Sequence, residues 1–200
     1  MRKTSALGCA AFLFSVLAQA QIPQIPTGGN VFFGYSYSRG NAFTHNFAPP
    51  ATPANASMNM SGWAASVEGK YLPWIGVVAD FDWHYGSRGV TQCAVLGCTS
   101  TNSFRLNASR HELMFGPRVS VSVGKYTPFA QLLIGLAHQT DSGRGTSNSD
   151  TTFATAIGGG LDYKLITGVA WRGQMDFIHT RFFGSTHNDI RFSTGIVFRF

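Results

Sequence analysis

The chain has 200 residues, with 15 Lys and Arg against 9 Asp and Glu, for a formal net charge of +6. Aromatic residues reach 14% while charged residues are only 12%, whereas charged side chains make up about a quarter of an ordinary chain. The small basic excess points away from a nucleic-acid partner, and the ring-rich, charge-poor balance points away from a soluble surface.

Met1-Arg2-Lys3, an apolar stretch over residues 6–17 and the small-residue run Ala18-Gln19-Ala20 together read as a cleavable signal peptide over residues 1–20. A lipoprotein reading through Cys9 fits less well, because the apolar stretch before it is too short. Residues 21–30 then form an N-terminal periplasmic segment, and residues 31–200 one domain. No later run of about 18 apolar residues is available for a transmembrane helix. Alternation with a period of two instead predicts eight strands, at 31–38, 59–71, 75–86, 109–121, 127–138, 152–165, 169–180 and 189–200. Leu72-Pro73-Trp74, residues 122–126 and Ile166-Thr167-Gly168 read as tight turns, whereas residues 39–58, 87–107 and 139–150 read as long polar loops. Short turns at one end and long loops at the other is the pattern of outer-membrane barrels, with the short-turn end periplasmic.

Alternation alone does not say which face points inward. One set of faces carries Phe33, Tyr35, Trp63, Phe81, Phe115, Phe153, Trp171, Phe177 and Phe192 among other rings, too many for the interior of eight strands. The opposite faces carry Gly34, Gly62, Gly116, Gly158 and Gly195, suited to a crowded concave wall. The rings therefore face lipid, with tyrosines and tryptophans forming a girdle at each rim.

The small-residue faces also hold Glu68, Lys70, Asp80, Asp82, Arg110, Glu112, Arg118, Asp162, Lys164, Arg172, Asp176, Arg191 and Arg199, six acids against seven bases. In a narrow interior such charges pair, because an unpartnered buried ion is costly. The expectation is a polar plug that fills the lumen, with a switching ion pathway as the alternative.

Cys93 and Cys98 lie close together in the second outer loop, and an oxidising compartment favours a disulfide between them. A metal site there would have only His84 to add. No His is followed two residues later by Ser, so no local acyl-transfer motif is present. A distant set such as Ser87 or Ser185 with His84 and Asp82 remains an alternative, and the expectation is a non-enzyme without cofactor. The first outer loop offers Phe43, His45 and Phe47 beside prolines, an exposed aromatic segment suited to contacts with an unidentified extracellular ligand.

The chain resembles the small outer-membrane β-barrel superfamily, similar in size and layout to the transmembrane domain of outer membrane protein A. The likeness rests on residues 158–163 (Gly-Gly-Gly-Leu-Asp-Tyr), on Pro128-Phe129-Ala130, and on a final strand ending Ile196-Val197-Phe198-Arg199-Phe200. It implies an all-β, eight-stranded antiparallel up-and-down transmembrane barrel in the outer membrane of a double-membrane bacterium. Phe198 and Phe200 would be its signal to the barrel insertion machinery, and outer-membrane lipid and lipopolysaccharide its surroundings. The implied role is structural or surface-interacting; a narrow solute channel and a lipid-modifying enzyme are the alternatives.

Overall fold

The computed structural model describes residues 28–42, 56–93, 101–143, 145–182 and 186–200. Eight strands follow in chain order: β1 (Gly28–Ala42), β2 (Ala56–Leu72), β3 (Ile75–Cys93), β4 (Thr101–Ser120), β5 (Tyr126–Gly143), β6 (Thr146–Ile166), β7 (Val169–Thr180) and β8 (His187–Arg199). Each pairs antiparallel with its neighbours in sequence, and β8 pairs with β1, so the sheet closes into a barrel with no free edge. The tight turns sit where Pro73 and Gly168 interrupt the alternation; Gly168 has a φ of 80°, a conformation that favours glycine.

The strands are longer than alternation predicted. β3 to β6 run for 19, 20, 18 and 21 residues, about twice the 9 to 11 that cross a bilayer at a tilt. Much of the loop expected over residues 87–107 is strand, and the loop expected over 139–150 is a hairpin closing at Gly145, with Gly143 paired to Thr146. Side-chain polarity ends the apolar alternation without ending the backbone ladder, because Ser, Thr and Asn leave the main-chain pairing intact. β1 likewise begins at Gly28, inside the segment expected to precede the barrel. Residues 1–27, including the expected signal peptide, lie outside the described residues.

Large side chains point outward, as volume required. Phe33, Leu113, Phe115 and Phe153 are each 56–58% exposed on the exterior. Charge is not the only filling, however. Phe32, Val78, Met114, Leu133, Ile178 and Phe182 are fully buried inside, forming apolar layers that the faces of rings and charges did not suggest.

The wall closes where Gly34 of β1 faces Gly195 of β8. A Cβ on Gly34 would lie 2.8 Å from the Gly195 Cα and collide with the Thr194 carbonyl oxygen. Glycine at this seam thus serves backbone approach in a sharply curved wall. Gly34→Val should destabilise the folded barrel by about 1–3 kcal/mol, read from urea unfolding in detergent by tryptophan fluorescence. Gly89→Ala, which meets open space, should shift stability by no more than about 0.5 kcal/mol.

Candidate functional site in the barrel lumen

The period of two that turns rings outward turns every second residue inward, so charges far apart in sequence meet inside. Near the tight-turn end, Arg172 of β7 donates to Asp162 of β6 at 2.7 and 3.0 Å, and the half-buried Arg199 of β8 reaches the same carboxylate at 3.0 Å. Arg118 of β4 donates to Glu68 of β2 at 3.0 Å and to Gln131 of β5 at 2.9 and 2.5 Å. The Phe129 ring lies under both guanidiniums, 4.5 Å from that of Arg118 and 4.7 Å from that of Arg172.

At mid-height Arg191 of β8 is the hub. Its guanidinium donates to Asp176 of β7 at 2.8 Å, to Asp80 of β3 at 2.6 Å, and to Asp82 of β3. Gln131 links this tier to the one below, accepting from Arg118 and donating to Asp176 at 2.7 Å. Gly158 makes room for it, since a Cβ there would strike the Asp176 carboxylate. Above, Arg110 of β4 pairs with Asp189 of β8 and donates to Gln139 at 2.9 and 2.8 Å. Glu112 bridges the upper tiers, its oxygens 3.7 Å from Arg110 and 3.6 Å from Arg191. The four arginines Arg110, Arg118, Arg172 and Arg191 are all at most 1% exposed.

The balance of charge differs from the six acids and seven bases read from the strands. Asp141 and Asp189 are also buried inside, giving eight buried carboxylates against four buried guanidiniums among the described residues. Lys70 is half-buried and donates to Ser120 at 2.9 Å. Lys164 is exposed, because it sits at the rim where the β6–β7 register shifts. The imbalance is axial. Asp80, Asp82, Glu112, Asp141, Asp176 and Asp189 occupy the middle and outer lumen with two arginines, while Glu68 and Asp162 share the tight-turn end with Arg118, Arg172, Arg199 and Lys70. Asp189 shares the parity of Arg191 and was legible on that ground; Asp141 lay in a segment read as loop.

The distant catalytic set does not assemble from Ser87. His84 points inward, with Nε2 2.9 Å from the Ser36 hydroxyl, which in turn lies 3.0 Å from that of Ser193, whereas Ser87 is exposed on the exterior. Ser185, and the loop residues Phe43, His45 and Phe47, fall outside the described residues. Cys93 ends β3 opposite Thr101; Cys98 lies outside the described residues, and no disulfide is present among them. Phe198 and Phe200 are 54% and 76% exposed on the exterior. The Phe200 backbone also exchanges hydrogen bonds with Gly29 at 2.9 and 3.1 Å, stitching the last residue to β1.

No family model and no curated protein sequence matches the chain. Solved structures do. Neisserial surface protein A superposes with a TM-score of 0.58 at 10% identity, covering 86% of this chain and 97% of that one. Ail, the attachment invasion locus protein of Yersinia pestis, seen in complex with the heparin analogue sucrose octasulfate, gives 0.53 at 15% identity over 86% and 98%. The outer membrane protease OmpT of Escherichia coli gives 0.50 at 6% identity over 90% and 99%. At such identities the likeness is one of fold, and that fold is the small outer-membrane β-barrel.

Arg191→Ala would leave Asp80, Asp82 and Asp176 facing one another without their shared guanidinium. Removing one partner of a buried ion pair costs about 3–5 kcal/mol, so the variant should lose at least that much in urea unfolding, with the folded, faster-migrating form disappearing from unheated gels.

Proposed function

We propose that the chain is an integral outer-membrane protein whose barrel is a plugged, rigid anchor and whose outer loops make the external contacts. The observation that carries this reading is the filled lumen. Arg191 is fully buried and joins β8 to β3 and β7 across the interior, and eight strands leave an interior just wide enough for side chains. The apolar exterior supports a membrane setting, since contiguous ring-bearing surface of this extent is rare on soluble monomers. In this reading lipid and lipopolysaccharide surround the barrel, Phe198 and Phe200 address the insertion machinery, and Phe43, His45 and Phe47 engage an extracellular ligand.

Purified protein in planar bilayers should give no stable single-channel steps, with or without salt gradients. Large, long-lived steps from the wild type would replace the plug with a conducting pathway. The acid-rich outer lumen would then make that pathway cation-selective.

A further inference from the structure

The positive half of the axial imbalance is gathered at the tight-turn end, where it borders a cavity. A space of about 190 Å³ opens there between Lys70 of β2, Ser120 of β4, Thr127 of β5, Arg172 of β7 and Arg199 of β8. Asp162 of β6 lines it as well, so three cations border the cavity against one acid. Glu68, the other carboxylate at this end, does not line it and is paired with Arg118 at 3.0 Å.

These cations keep donors that the protein itself leaves unused. Arg172 commits Nε and Nη2 to the Asp162 carboxylate, while its Nη1, in a residue only 1% exposed, has no hydrogen-bond partner. A buried guanidinium nitrogen without an acceptor is costly. Lys70 donates to the Ser120 hydroxyl at 2.9 Å and pairs with no carboxylate among the described residues. Arg199 reaches Asp162 through Nη2 alone, and its side chain is 32% exposed. Arg172 is also fixed in place, by the Phe129 ring 4.7 Å below it and by Asn30 Oδ1, which accepts from Nη2 at 3.4 Å. Donors on three strands are thus positioned before any ligand arrives, which lowers the cost of binding one.

Count, direction and size define the ligand. The planar fork of Arg172 is already filled by a carboxylate, so single donors arriving from different walls remain, an arrangement that suits a tetrahedral oxyanion better than a second carboxylate. Once Asp162 is matched two positive charges are left over, and a phosphate group carries about −1.5 to −2 near pH 7. At about 30 Å³ per water the cavity has room for such an ion and a few waters. It is smaller than the roughly 300 Å³ at which pockets for larger ligands begin.

We propose that the tight-turn mouth of the barrel binds a free phosphate ion between Lys70, Arg172 and Arg199. These side chains face the lumen, out of reach of a lipid headgroup in the surrounding bilayer, so the ion comes from solution. The plugged-anchor reading assigns no role to this end. Only the periplasmic origin of the ion rests on the outer-membrane reading; the binding rests on the closed barrel.

The test titrates inorganic phosphate into the full-length folded chain in an uncharged, phosphate-free detergent and follows the heat of binding. The wild type should saturate with one ion per chain. Lys70→Gln should bind about tenfold more weakly, as expected for losing one charge-assisted contact. Lys164→Gln removes the same charge at the same end but from the exposed rim, so it should bind as the wild type does. Phosphatidic acid carried in the micelle should not compete. No saturable uptake by the wild type up to about 10 mM phosphate would overturn the proposal whether or not Lys70→Gln folds. Undiminished affinity in a folded Lys70→Gln, an equal loss in Lys164→Gln, or competition by the lipid would overturn it as well. Conductance steps or solubility without detergent bear on the anchor and membrane readings instead, so those failures are distinguishable from this one.

Discussion

A carboxylate or guanidinium taken out of water must find its counter-charge, and everything inside this barrel is arranged around that requirement. Arg191 meets it most completely. From β8 it reaches a carboxylate on β7 beside it and two on β3 across the lumen; β3 shares no ladder with β7 or β8. The ion network thus joins adjacent strands through Arg172–Asp162 and Arg191–Asp176 and braces opposite walls through Arg191–Asp80, Arg191–Asp82 and Arg110–Asp189. Burial of this kind contributes geometry more surely than net stability. Its cost is large when any member is lost, which couples the walls to one another.

The strands make room for the struts by omission. Gly158 admits the Asp176 carboxylate, and Gly34 and Gly195 let β1 and β8 approach closely at the seam. Met114, Leu133, Ile178 and Phe182 form an apolar cluster beside the charges, with the Phe182 ring 5.3 Å from the Arg110 guanidinium. Phe129 connects the two kinds of filling, its ring face lying against two arginines. Apolar side chains lie beside the charges at the same height, Met114 paired with Asp80 and Ile178 with Asp189, so the two kinds of filling share each level of the lumen.

Outside, the molecule is not symmetric about its axis. The long β3–β6 side stands above the short β7–β8 side, and its outer surface passes from rings to imidazoles to hydroxyls over three residue pairs.

Much was legible from residue order alone, because a strand's period of two is a local property: which residues share a face, that most rings lie on one face and the charges on the other, with Phe32, Phe129 and Phe182 as inner exceptions, where Pro73 and Gly168 turn the chain, and that the last strand ends on exposed rings. Volume then decided which face was inside. Three things needed the tertiary structure. Strand ends at Gly143 and Cys93 depend on whether a partner strand continues the ladder, and polar side chains do not reveal that. The membership of Asp141 and the exposure of Lys164 depend on height along the axis, which pairing register sets and sequence parity does not. The choice of Arg191 as hub arises from distances across the lumen between strands separated by more than a hundred residues, fixed only when β8 closes on β1.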